Sequence, residues 1–159
     1  MKHTLAVLVE DKPGVLTRIA GLFARRGFNI DSLAVGESEA PGLSRITITI
    51  DGAEHPIDQV TKQLNKLINV VKVRDLQPSD TVSAELMLIK TRAEGPKRAE
   101  VMQVAEIFKA KIVDVDRRTM TLRAVGTPER LEALREVLKP LGVLEVVRTG
   151  TVAIGREKS

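Results

Sequence analysis

The chain of 159 residues contains no cysteine. This absence excludes disulfide bonds, thiolate nucleophiles and cysteine-ligated metals. Its two histidines, His3 and His55, have no carboxylates clustered around them, so the sequence predicts no metal site. Tyrosine and tryptophan are also missing, and only three phenylalanines are present. A domain that stacks RNA bases on the aromatic side chains of its sheet is therefore disfavoured.

Long apolar segments are missing as well. From Met1 and Lys2 the sequence passes directly into a strand pattern, so we expect neither a signal peptide nor a membrane span, and a cytoplasmic location. The 25 basic and 21 acidic residues give a net charge of +4 and are spread along the chain, which is typical of a solvated surface. With 43% hydrophobic and 29% charged residues, the composition is that of a soluble globular protein.

Helical and strand periodicities follow one another in the same order in both halves. The first half is predicted to contain Leu5–Val9 (strand), Val15–Arg26 (helix), Phe28–Val35 (strand), Leu43–Ile50 (strand), Pro56–Ile68 (helix) and Val70–Leu76 (strand). In this half Ile46, Ile48 and Ile50 alternate with threonines, as a half-buried strand requires.

A linker, Gln77–Asp80, separates the halves. The second half is predicted to contain Val82–Lys90, a helix from Pro96 to Lys109, Lys111–Asp116, Met120–Val125, a helix with Thr127 as N-cap, and Val143–Arg148. The predicted fold class is α+β, with two ferredoxin-like βαββαβ units at 1–77 and 81–159. Units of about 80 residues have small cores, so dimerisation would stabilise both.

The start of the first helix has the features of an anion site. Pro13 fits the first helical position, which leaves the N–H groups of Gly14, Val15 and Leu16 without intrahelical partners. Free N–H groups and the helix dipole attract a carboxylate. Gly14 lets a ligand approach the backbone, because no β-carbon occupies the space.

The segment after this helix supplies a second polar group. Arg25 and Arg26 in the last turn and Gly27 as a left-handed cap end the helix. Asn29 then offers a side-chain donor and acceptor to an amino acid's carboxylate and ammonium. Gly14 also fits an ordinary turn, and Asn29 also fits a polar residue at a strand edge, so both interpretations stay open.

The motifs V-E-D-K-P-G-V-L, R-G-F-N-I and L-S-R-I-T-I together resemble an ACT domain, an amino-acid-sensing module. They are most similar to the small regulatory subunits of acetolactate synthase (acetohydroxyacid synthase). The resemblance continues through E-L-M-L-I-K, E-I-F, I-V-D-V and A-V-G-T, so it covers nearly the whole chain.

This resemblance implies a subunit that has no catalytic residues of its own and activates a catalytic subunit. That partner would make 2-acetolactate and CO2 from two pyruvates, in branched-chain amino-acid biosynthesis, with thiamine diphosphate, Mg and FAD. The small subunit itself would need no cofactor and would convey feedback inhibition by valine or another branched-chain amino acid. The C-terminal unit would contribute to contact with the catalytic subunit.

The resemblance also implies a binding site shared across a homodimer. One subunit would contribute Asp11, Gly14, Val15 and Leu16, and the other Asn29 and Ile30. Many members of the family have asparagine in place of Asp11, so the contact with the ligand ammonium would be retained or strengthened.

Two alternatives remain at the level of sequence. A freestanding enzyme is disfavoured, because the sequence contains no nucleophile paired with a base and no phosphate-binding glycine loop. An ACT-type sensor that regulates a different biosynthetic enzyme is the other alternative. Against it stands only the resemblance of the C-terminal half.

Overall fold

The computed structural model describes residues 2–51 and 57–157. The first half consists of β1 (Lys2–Glu10), α1 (Val15–Arg25), β2 (Ile30–Glu37), β3 (Leu43–Asp51), α2 (Ile57–Asn65) and β4 (Val70–Leu76). The second half consists of β5 (Thr81–Arg92), α3 (Pro96–Ile107), β6 (Lys111–Val115), β7 (Thr119–Gly126), α4 (Pro128–Gly142) and β8 (Val143–Arg148), followed by β9 (Val152–Gly155). The predicted fold of two βαββαβ units is confirmed.

The first sheet has the order β2-β3-β1-β4, so β2 is an edge strand. Antiparallel pairing places Leu5 opposite Ile48 and Val7 opposite Ile46. All four side chains are fully buried against the helices, which explains the alternation in the sequence. Successive residues point to opposite faces of the sheet, and only one of these faces packs against α1 and α2.

The end of α1 is a Schellman motif. The Gly27 N–H donates to the Ala24 carbonyl, and the Phe28 N–H donates to the Phe23 carbonyl. Gly27 has a φ of 72°, as predicted from its place after Arg26. The rings of Phe23 and Phe28 pack edge to face with their centroids 6.2 Å apart. The motif therefore connects α1 to β2 with a fixed geometry.

Predicted helix ends differ from the structure by a few residues. Pro56, the predicted start of α2, lies outside the described residues, as does His55. The helix ends at Asn65 and not at Ile68, because the following N–H groups form tighter turns, such as Leu67 to the Leu64 carbonyl. Ile68 is 89% exposed, so it contributes nothing to the core.

The second sheet has the order β6-β7-β5-β8, and β9 also pairs with β5. Thr127 is the N-cap of α4, as predicted, and its Oγ accepts a hydrogen bond from the Arg130 N–H at 3.3 Å. Leu131, Leu134 and Leu138 form the buried face of this helix.

A cluster of three charged side chains connects β8, β5 and α4 of the second unit. Arg148 forms a bidentate pair with Glu85, with Nε–Oε1 and Nη2–Oε2 distances of 2.9 and 3.0 Å, and its Nη1 lies 2.9 Å from the Glu132 carboxylate. The Glu85 side chain is 5% exposed. The hydrogen bonds between Arg148 and Glu85 raise the pKa of Arg148, so the guanidinium stays charged beside the buried carboxylate.

The C-terminal strand belongs to the first unit. Contacts divide the chain into one unit that runs up to Val82 and resumes at Thr151, and a second unit from Ser83 to Gly150. The Thr151 N–H donates to Ser32 Oγ on β2 at 3.3 Å, and the Arg156 N–H donates to the Asp80 carbonyl. The predicted boundaries, 1–77 and 81–159, assigned these last residues to the second unit. The difference arises because their partners are distant in sequence.

Candidate ligand-binding site

The helix α1 starts at Val15, as its periodicity predicted, and therefore two residues after Pro13. Gly14 is the N-cap, with a φ of 85°, and Val15 is the first helical residue. The prediction that Pro13 occupies the first helical position is therefore wrong, since Pro13 lies in the preceding turn. A left-handed conformation explains the glycine by itself, because other L-residues adopt it only with strain.

The backbone donors at this helix start are only partly those predicted. The Val15 N–H is directed back to the Lys12 carbonyl at 3.4 Å, so it is not free, contrary to the prediction. The first bond of the helix runs from the Arg18 N–H to the Gly14 carbonyl at 3.1 Å. In the part of the chain that the structure describes, the N–H groups of Gly14, Leu16 and Thr17 have no backbone acceptor. These three donors lie within one turn and suit an anion.

Space is open beside these donors. A β-carbon built on Gly14 would meet no atom within 4 Å. Among the described residues no side chain caps the helix start, so the N–H groups of Gly14, Leu16 and Thr17 are not already occupied. The space next to Gly14 is therefore not filled by other atoms of the described residues.

Leu16 is on the surface and not in the core. Its side chain is 41% exposed, whereas those of Val15 and Ile19 in the same helix are buried. Leu16 is therefore an exposed apolar residue in the same turn as the free N–H groups.

Backbone hydrogen bonds fix the position of the loop between β1 and α1. The Asp11 N–H donates to the Gly42 carbonyl, and the Glu10 N–H donates to the Asn69 carbonyl, both at 2.9 Å. The side chain of Asp11 is exposed and has no ion pair among the described residues. The Asp11 carboxylate is therefore available for an electrostatic interaction with a cationic group.

Two arginines on neighbouring elements, Arg18 in α1 and Arg45 in β3, already have polar partners. Arg18, one turn into α1, donates from Nη1 to Asn69 Oδ1 at 2.9 Å. Across the β2–β3 hairpin, the Arg45 guanidinium lies 2.6 Å from Glu39 Oε1 and lowers the pKa of that carboxyl group. Both pairs are exposed, so their effect on stability is small.

Asn29 and Ile30 lie far from this helix start within one chain. Ile30 is opposite Ile50, which is in turn opposite His3, at the beginning of β1. The helix start instead follows Glu10, at the end of β1. From His3 to Glu10 a strand rises about 23 Å. The structure therefore does not bring the two groups of predicted site residues together in one chain.

Asn29 and Ile30, the second group of predicted site residues, lie at the beginning of the edge strand β2. Asn29 is exposed and precedes β2, which was predicted to start at Phe28 but starts at Ile30. Phe28 is excluded from the strand because it takes part in the end of α1. The outer side of β2 has no strand partner among the described residues, and Val35 on it is 51% exposed.

Metal-binding clusters and membrane-spanning helices are both absent from the described residues. No group of three or more metal-binding side chains occurs in the described ranges, 2–51 and 57–157. Within those ranges, no helix is long and apolar enough to cross a membrane.

Comparison with known proteins covers both units. Residues 5–72 match the family described as AHAS small subunit-like ACT domain, and residues 84–157 match the small subunit of acetolactate synthase. The acetolactate synthase small subunit of Mycolicibacterium smegmatis is 51% identical over 154 residues, which is 97% of this chain and 91% of that one. A probable small subunit from Methanothermobacter thermautotrophicus is 48% identical over 155 residues, again 97% of this chain and 92% of that one.

A solved structure agrees with these relatives. The crystal structure of the small subunit from Thermotoga maritima superposes with a TM-score of 0.91 at 43% identity, over 100% of this chain and 99% of that one. The match of the C-terminal unit places that half in the same family, which counts against the alternative of an ACT-type sensor for a different enzyme. The chain belongs to the family of acetolactate synthase small subunits, which are ACT-type regulatory subunits.

Proposed function

We propose that this subunit binds valine, or another branched-chain amino acid, and transmits feedback inhibition to the catalytic subunit of acetolactate synthase. In the absence of the amino acid it raises the activity of that subunit. The observation that carries the proposal is the start of α1, where free N–H groups, an open glycine and an exposed carboxylate lie together.

The chemistry of an α-amino acid matches this arrangement group by group. The N–H groups of Gly14, Leu16 and Thr17 bind the carboxylate, with the helix dipole adding to the attraction. Asp11 binds the ammonium, and Leu16 contacts the aliphatic side chain. The N–H of Val15 takes no part, so its role is limited to placing its neighbours.

Asn29 and Ile30 complete the site from a second subunit. They lie at the opposite end of the sheet from Gly14, so one chain cannot supply both groups. If two β2 edges pair antiparallel about a two-fold axis, the beginning of one strand meets the end of the other. Such pairing also covers the exposed backbone of β2. The proposed functional unit is therefore a homodimer with two equivalent sites.

The reaction belongs to the partner. Condensation of two pyruvates to 2-acetolactate and CO2 would take place on the catalytic subunit, with its thiamine diphosphate, Mg and FAD. This chain acts on it by allostery, which requires valine to bind the inhibited arrangement more tightly than the active one. The ACT unit binds the effector, and the C-terminal unit contributes to contact with the catalytic subunit. We place this complex in the cytoplasm.

Valine titration of the purified full-length chain tests the proposal. At a hundredfold excess over its dissociation constant, valine should stabilise the folded protein by about 2.7 kcal/mol. D-valine is the matched control and should shift the melting temperature much less, since its side chain points away from Leu16 when both charged groups are bound. If branched-chain amino acids at millimolar concentration give neither a thermal shift nor a calorimetric signal, the sensor assignment is wrong.

A further inference from the structure

The strand β6 is an unpaired edge of the second sheet. Its five residues pair only with β7, so the outer side has no strand partner among the described residues. Val113 and Val115 on this strand are 47% and 55% exposed, and Ile107, at the end of the preceding helix, is 71% exposed. An edge strand flanked by exposed aliphatic side chains is a template for another strand.

A β-bulge in β6 changes which side chains share a face. Ile112 lies opposite Leu122 and Asp114 lies opposite Thr121, so Val113 is the extra residue. Without the bulge, residues 112 and 114 would share a face. With it, Ile112 remains on the helix side, where it packs against the core, and Asp114 is turned to the other face.

Lys111 is on the same face as Asp114. It lies opposite Arg123, which is exposed, whereas the neighbouring Leu122 is fully buried. Neither Lys111 nor Asp114 has an ion pair within residues 2–51 and 57–157. The strand therefore presents one free cation and one free anion on its solvent face, three positions apart.

The charges of Lys111 and Asp114 are complementary to those of a second copy of β6 when the two strands are antiparallel. When the strand pairs antiparallel with its own copy, Lys111 comes opposite the partner's Asp114, and Ile112 comes opposite the partner's Val113. The two-fold axis generates the same contacts twice. Parallel pairing in register would instead place like charges together, which is destabilising.

We propose that β6 pairs antiparallel with β6 of a second copy of this chain, with Lys111 opposite the partner's Asp114. The contact is separate from the amino-acid site and from the β2 edge. It is small, so it is weak by itself and gains strength where another interface already holds the two chains together.

Engineered cysteines test the pairing in the full-length protein. The natural chain has no cysteine, so every disulfide reports the introduced residues. Residues directly opposite have Cα atoms about 4.5–5.5 Å apart, within the range that a disulfide spans. Oxidation of Lys111→Cys/Asp114→Cys with copper phenanthroline should therefore convert most of the protein to a linked dimer. An equimolar mixture of the two single variants should give the same product.

Each single variant by itself is the matched control. In the proposed register, position 111 lies about 10 Å along the strand from the partner's position 111. A disulfide cannot span that distance, so linked dimer should fall to the background of the cysteine-free protein. The proposal is overturned if the double variant and the mixture stay unlinked, or if either single variant links as well as they do.

A thermal shift with valine separates this result from the proposed function. A double variant that responds to valine but does not link refutes only the β6 contact. One that links but does not respond supports the contact and counts against the amino-acid site.

Discussion

Substitution of Gly14 tests the proposed carboxylate site directly. Three variants change different properties at one position. Gly14→Ala adds only a β-carbon, for which the structure has space. Gly14→Asn adds a larger neutral side chain beside the free N–H groups, and Gly14→Asp adds the same shape with a negative charge.

All three variants share the strain of a left-handed residue, which costs about 1–2 kcal/mol and is smallest for Asn and Asp. The charge adds a repulsion between two carboxylates, which at 4 Å is about 1 kcal/mol in water and about 4 kcal/mol near a protein surface. Binding of valine should thus weaken in the order Ala, Asn, Asp, with Asp about fivefold to several hundredfold weaker than Asn.

Isothermal titration calorimetry with valine measures this order, and thermal melting measures folding independently. In assays with the catalytic subunit, we expect Gly14→Asp to abolish valine inhibition and to retain activation. The reasoning is refuted if Gly14→Asp binds valine as tightly as Gly14→Ala. Equal loss of activation and inhibition would instead show that Gly14 is needed for the fold.

Three other predictions concern stability and the role of the units. Arg148→Ala leaves the buried carboxylate of Glu85 unpaired and should lower the free energy of unfolding by about 3–5 kcal/mol in denaturant titration; a loss below about 1 kcal/mol would show that water replaces the guanidinium. Thr127→Ala removes the cap of α4 and should cost about 0.5–2 kcal/mol, whereas Thr127→Ser should be close to neutral, and equal losses would contradict the capping role. A chain that ends at Ser79 should still bind valine and dimerise but melt below the full-length protein, since it lacks β9, and should give reduced activation or weaker inhibition. Full regulation by this truncated chain would mean that the second unit has a different role.

Much of the fold is determined by residues close together in sequence. The end of α1 depends on Gly27 and on the pairing of Phe23 with Phe28, only five positions apart. The cap at Thr127 acts on an N–H three residues away. The alternation of Ile46, Ile48 and Ile50 specifies which face of β3 is buried. Interactions of this range depend on local geometry, so they can be predicted from a single sequence.

The candidate site was predictable only in part. The glycine and the free helix start followed from the motif around Gly14, but the direction of the Val15 N–H and the exposure of Leu16 did not. The exposure of Leu16 depends on a rotation of α1 by a fraction of a turn. The packing of the whole helix on the sheet sets that rotation, and no short motif encodes it.

Tertiary structure alone decided the arrangement of the site and of the C-terminal strand. Strand register puts Asn29 and Gly14 at opposite ends of one sheet, which makes a second subunit necessary for the proposed site. Thr151 returns to Ser32 across more than a hundred residues of chain. Such contacts join residues that are distant in sequence. Local periodicity does not encode them, because strands become neighbours only through long-range pairing.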